Sequence, residues 1–251
     1  MIILGAINLA LLLFSFVFFI PKYTKKNDLI IILKKHLPYF LIIFGVVALH
    51  LFEVNVIDQP ITEWIGHDFA NNIKGLEGDA VYWFSQHWTP VLVYFFVIMY
   101  IAVYPFTLWF SPAYFLITDN KKAMKTLAYG LLLIYIIALP FYLFLPITNV
   151  YSYYNVDSAL DSVIPSIENF FYSTTTQNNC LPSLHTAMTI LVAYSVSLTG
   201  NKKFTYFAYF TMISVIISVI YLSIHWITDV ITGGLLAVGV IFILRKFMQE
   251  K

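Results

Sequence analysis

The chain has 251 residues, 60% of them hydrophobic and only 11% charged, with 18 Tyr and 23 Phe. A soluble domain is about 45–50% apolar and about 25% charged, so the composition excludes an ordinary soluble protein and describes a polytopic membrane one. A formal net charge of +1 gives no basis for nucleic-acid binding, and the single Cys180 excludes an internal disulfide.

A helix needs about 20 apolar residues to cross the hydrocarbon core. About seven segments qualify, near 1–20, 36–52, 88–110, 123–145, 183–199, 204–224 and 229–244. Residues 1–20 lack both a preceding basic residue and a small-residue cleavage site, so they read as a span rather than a signal peptide.

The charges order these spans. Lys22, Lys25, Lys26, Lys34 and Lys35 follow the first, Lys121, Lys122 and Lys125 precede the fourth, Lys202 and Lys203 precede the sixth, and Arg245, Lys246 and Lys251 follow the seventh. All of the 14 basic residues except Lys74 thus fall on one face, which the positive-inside rule makes cytoplasmic, with the N-terminus outside. The opposite face carries Glu53, Asp58, Glu63, Asp68, Glu77, Asp79, Asp157, Asp161, Glu168 and Asp229. It also carries two long loops, 53–87 and 146–182, whose aromatic content predicts packed caps with short interfacial helices. The expected fold is an all-α membrane bundle, and the outer face is where chemistry is expected.

Two histidines stand at outer span ends, where an ionisable side chain is a functional-site hypothesis by default. His185 lies in Pro182-Ser183-Leu184-His185, after the polar run Thr174 to Asn179. Proline favours a first helical turn, so the fifth span is expected to start near Pro182. Its free N–H groups, the Ser183 hydroxyl and the amides of Asn178 and Asn179 suit a phosphate; the alternative is that Ser183 is only a helix cap. His225 stands four residues before Asp229, a spacing that lets the carboxylate orient the ring for nucleophilic or base catalysis. The alternative is that Asp229 caps the seventh span while His225 rests at the interface beside Trp226. His36, His50 and His87 read as structural or interfacial, Tyr151, Tyr153 and Tyr154 as an interfacial aromatic belt, and Gly233-Gly234 as a close helix contact.

Together, Pro182-Ser183-Leu184-His185 and Tyr221-x-x-x-His225-x-x-x-Asp229 followed by Gly233-Gly234 resemble the second and third motifs of the type 2 phosphatidic acid phosphatase superfamily. Leu184 and the aromatic after His225 look most like the branch related to inositol phosphorylceramide synthases. The resemblance implies one integral membrane domain over 1–251, a six-helix core plus one extra span, with N-terminal spans and an outer loop in 1–84 and the catalytic core in 85–245. It implies His225 as nucleophile, Asp229 as its orienter, His185 as acid and base, and Ser183, Leu184 and neighbouring groups as the phosphate cradle, with no metal and no cofactor.

The substrate implied is a phosphorylated lipid or isoprenoid, hydrolysed at the outer face of the plasma membrane. Head-group transfer to an alcohol such as inositol, a transporter or scaffold without turnover, and a metal site of His185, His225 and Asp229 are the competing readings. The sequence departs from the family's pattern in lacking its phosphate-binding cations. The stretch 144–150 has no basic residue where the first motif has Lys and Arg, and Val219 replaces the third motif's Arg. Lys74, His67, Asn149, Asn178 and Asn179 are the nearest substitutes.

Overall fold

The computed structural model describes residues 2–21, 29–164 and 166–249; Lys22, Lys25, Lys26 and Lys251 lie outside them. The described chain is helical. In order it forms α1 (Ile2–Phe18), α2 (Leu29–Phe52), α3 (Asp58–Ile65), α4 (Ala70–Glu77), α5 (Tyr82–Ser85), α6 (Pro90–Ile98), α7 (Tyr104–Ile117), α8 (Lys121–Phe144), α9 (Val150–Tyr153), α10 (Ile167–Tyr172), α11 (Leu184–Ser197), α12 (Lys202–Tyr221) and α13 (Ile227–Gln249). Wider π-helical turns, Glu53–Ile57 and Met99–Val103, join α2 to α3 and α6 to α7 without a break.

Among the described residues, five helices are long and apolar enough to cross a membrane: 30–65, 90–117, 121–144, 202–221 and 227–247. Two further apolar helices, 3–18 and 184–197, are shorter. The outer loop expected from residue 53 onward begins later than the sequence suggested, because the helix started at Leu29 continues through the π turn to Ile65. Glu53 and Asp58, whose charges mark a span end in the sequence, are instead buried inside that helix.

The helix starts follow local chemistry. Asn120 caps α8 by accepting from the Ala123 N–H at 3.0 Å, and Asn201 caps α12 by accepting from Phe204 at 3.1 Å. Pro90 opens α6 after extended Thr89. At the bundle centre, α11 packs on α8, α12 and α13 through Ala187, Leu191, Ala193, Val196, Ala208 and Ala237. Small residues set the spacing: a Cβ on Gly130 would meet Leu191 Cδ1 at 2.5 Å.

Each end of the bundle has its own ties. At one end the Asn201 amide donates to the Phe19 carbonyl at 2.8 Å and the Tyr114 hydroxyl at 2.9 Å. There Asp119, between α7 and α8, accepts from Lys35 at 2.8 Å and meets Nε2 of buried His36 at 2.9 Å. At the other end the two long connections interlock: Phe69 N–H donates to the Pro146 carbonyl, Ile147 N–H to Asn178, and the Trp226 indole to Thr148. Tyr151 and Trp226, read from sequence as interfacial, are buried in this cap. Tyr151 donates to Glu168 at 2.8 Å and Trp226 packs edge-on against Tyr153 at 5.5 Å.

Hydrogen bonding from Lys35, with a smaller contribution from His36, holds the Asp119 carboxyl below the usual carboxylate range. A carboxylate with a lowered folded value stabilises fully above the unfolded value of about 4, and loses that contribution as pH falls through the folded one. Asp119→Ala is therefore expected to lower the thermal midpoint in detergent at pH 7, and the gap to wild type to narrow below about pH 4. An equal gap at both pH values would remove the ion pair from the account.

Candidate active site

The contact that builds the site is between the N-termini of α11 and α13. The Ser183 N–H donates to the Asp229 carbonyl at 2.9 Å, and Gly233 lies so close that a Cβ there would stand 2.4 Å from the Ser183 carbonyl oxygen. Gly234 has open space at the same test, so the close contact belongs to Gly233 alone. The Tyr142 hydroxyl donates to the Pro182 carbonyl from α8 and fixes the approach to α11.

This contact brings His185, His225 and Asp229 together. Asp229 is fully buried; its Oδ2 accepts from the Trp226 N–H at 2.9 Å and meets His225 Nδ1 at 3.3 Å. His225 Nε2 lies 3.3 Å from His185 Nδ1, and His185 Nε2 lies 3.0 Å from the Tyr100 hydroxyl. One assignment satisfies every pair. A carboxylate acceptor puts the His225 proton on Nδ1 and leaves Nε2 a lone pair. His185 then donates from Nδ1 and accepts from Tyr100 at Nε2. The four side chains form a directed chain of hydrogen bonds ending at Asp229, whose other oxygen, Oδ1, is buried without a partner.

A cavity of about 490 Å³ opens from these rings and runs between α2, α7 and α8. Its polar end holds His50, Tyr100, Tyr135, Asn179, His185 and His225; the rest is apolar, with Ile43, Val47, Leu108, Trp109, Leu127 and Leu131 among the lining residues. Such a slot suits an apolar chain with a polar head.

Of the expected phosphate cradle, Leu184 and Asn179 line the cavity. Ser183 is buried, and its hydroxyl accepts from the Thr186 N–H at 3.3 Å, so it is the cap of α11. Asn178 donates to the Thr62 hydroxyl at 2.9 Å. Asn149 is the cap of α9 and donates to the Tyr172 hydroxyl at 2.9 Å. Lys74 is brought to Asp79, at 3.8 Å, and to the Tyr154 ring, and is not among the residues that line the cavity. His67 packs edge-on against Phe69.

Tyr100 escaped the sequence reading, and His50 was read there as structural or interfacial. Tyr100 sits in the π turn, buried within an apolar run, and its hydroxyl was invisible there as a partner. His50 lines the cavity with Glu53 one turn on; an ionisable pair inside a span was the available signal.

The possible metal ligands are Cys180, His225 and Asp229, whose donor atoms lie within 4.8 Å of one another. His185 is not in this set. Burial, reinforced by the charge of Asp229, pushes the Cys180 thiol well above its ordinary value, which disfavours the thiolate that metal binding requires.

Residues 77–243 match the family model of the PAP2 superfamily. That is more than half of the chain, and the chain belongs to this superfamily of phosphatases and phosphotransferases. No curated protein and no solved structure matches it.

Gly233→Ala is expected to force α13 off α11, costing about 1–3 kcal/mol and most of the activity. Gly234→Ala should fold as wild type, because nothing meets the added methyl. Thermal unfolding of the purified variants in detergent checks this pair, and equal stability for both would disconnect Gly233 from the site.

Proposed function

We propose that the protein is a membrane phosphatase that removes phosphate from a lipid phosphate or lipid diphosphate through a phosphohistidine. The observation that carries this reading is the Asp229–His225–His185 chain at the polar end of an apolar cavity.

The phosphoryl group takes the place of the direct contact between the two rings. His225 Nε2 attacks phosphorus with its lone pair, and the bond from phosphorus to the lipid oxygen breaks. That oxygen leaves with the proton from Nδ1 of His185, whose ring takes up a second proton at Nε2 as the phosphate monoanion binds and so returns to its neutral form. Asp229 balances the positive charge that forms on the phosphorylated ring. In the second half, His185 Nδ1 takes a proton from water, the water oxygen bonds to phosphorus, and the phosphorus–nitrogen bond breaks. The Tyr100 hydroxyl holds His185 Nε2 and so keeps Nδ1 turned to the reacting oxygens in both halves.

The basic residues at the opposite end of the bundle support a site on the outer face of the cell membrane, with the N-terminus outside. The α11 start contributes its first-turn N–H groups and dipole, whereas the hydroxyl and the N–H of Ser183 are already engaged.

Head-group transfer is the second reading, because Thr174, Thr175 and Asn179 line the polar end beneath the 146–182 cap. They offer hydroxyl and amide partners to an acceptor alcohol, which would replace water in the second step.

The test is phosphate release from a panel of lipid phosphates in nanodiscs, in the presence of chelator, with and without added alcohols. His225→Ala should lose about 100-fold or more of the rate, and Asp229→Asn somewhat less. Loss of activity in chelator would redirect the reading to the Cys180, His225 and Asp229 set, and a silent panel would leave a non-catalytic membrane protein.

Tyr100→Phe is expected to lower kcat by about tenfold, the effect of one hydrogen bond of about 1.5 kcal/mol, with KM little changed. A KM effect alone would assign Tyr100 to packing.

A further inference from the structure

A phosphate ester carries at least one negative charge into a cavity that no lysine or arginine lines among the described residues. An anion held in apolar surroundings requires a paired charge. The lining groups able to become cationic are His50, His185 and His225. The latter two carry the reaction itself: His225 meets Asp229 and bonds to phosphorus, and the proton on His185 leaves with the lipid oxygen. His50 remains.

His50 lies in the last turn of α2, and a quarter of its side chain is exposed. Its Nδ1 stands 3.7 Å from Oε2 of Glu53, which is fully buried. The other partners of Glu53 are neutral: the Tyr135 hydroxyl at 3.4 Å and the Asn179 amide at 3.1 Å. A buried carboxylate with neutral donors still lacks a countercharge, and His50 is its neighbour that can supply one. Tyr135 also packs edge-on against the His50 ring at 5.6 Å. The second carboxylate of this wall, Asp58, faces the amides of Asn178 and Asn179 and the charge of Glu53.

Resting on the phosphatase reading above, we propose that His50, backed by Glu53, is the cation that binds the substrate phosphate in this chain. His50 lies outside the matched residues 77–243, on the wall formed by α2. The ring, bearing both protons in the complex, lies between Glu53 and the phosphate. It takes the second proton from solvent or from the phosphate monoanion itself, so no further reactant is required. The π turn that begins at Glu53 shifts the helix phase of the residues beyond it, Asp58 among them. Fixed Lys and Arg side chains are thereby replaced by a carboxylate-backed imidazole.

The experiment compares wild type, His50→Gln and His50→Lys in nanodiscs by two readouts: KM and kcat on lipid phosphates, and the shift of the thermal midpoint caused by inorganic phosphate. His50→Gln should raise KM by roughly tenfold or more, the effect of losing a charge-assisted bond. It should abolish the phosphate-induced shift and leave kcat less affected. His50→Lys should restore both, which separates lost charge from lost packing.

Turnover with wild-type KM in His50→Gln overturns the proposal and leaves the phosphatase reading standing. A phosphate-induced shift in wild type that His50→Gln lacks, with no lipid turned over, keeps His50 as an anion-binding residue and overturns the catalytic reading. No shift and no turnover in wild type overturns both.

Discussion

The hydrogen bond from the Ser183 N–H to the Asp229 carbonyl, with Gly233 pressed against the same turn, is the constraint on which the site depends. Two helix starts meet there, and each brings N–H groups that no intrahelical acceptor satisfies. Ser183 caps α11 with its hydroxyl and gives its own N–H to α13, while Asp229 takes the Trp226 N–H. The backbone thus fixes the relative height of His185, in the first turn of α11, and His225, in the turn before α13, 40 residues apart.

The two π turns extend this control to the rest of the cavity. One places Tyr100 behind His185; the other begins at Glu53, beside His50. Each adds a residue to the turn and so changes which side chains face inward beyond it. Around them the 146–182 segment is tied down by Tyr151, Tyr172, Asn149 and Glu168. Burial, partly offset by hydrogen bonding from Tyr172, raises the Tyr151 phenol above its ordinary value and keeps it a neutral donor. The cap therefore covers the polar end without adding charge to it.

Much of the helical plan was legible in the sequence, because apolar runs of span length between lysine clusters leave few alternatives. The spacing of His225 and Asp229 and the Pro182-Ser183-Leu184-His185 start were legible for the same local reason: partners three or four residues apart show in one dimension. The continuation of α2 to Ile65 was not, because Glu53 and Asp58 look like a surface until their buried partners Tyr135, Asn178 and Asn179 are known. Trp226 was misread similarly, and Tyr100 went unremarked. An aromatic with a polar atom reads as an interfacial anchor, whereas here each atom meets a partner at least 78 residues away. Lys74 was singled out for its charge alone, and its nearest carboxylate lies on its own loop.

The wall of the cavity formed by α2 is loosely tied: only 17% of its apolar window is buried, against 56% for the 90–117 helix. Its outer side presents the exposed Leu33, Leu37, Leu41 and Phe44, an apolar surface suited to lipid contact. A lipid chain entering the slot therefore exchanges one hydrocarbon neighbour for another and loses no hydration on the way. On the proposed lipid-phosphate reading, the reservoir from which the site fills is the leaflet, so its saturation follows the mole fraction of ligand among its neighbours and not the amount per volume of water. Short-chain amphiphiles used to extract the protein compete for the same slot, and dilution by inert lipid lowers occupancy at constant total ligand.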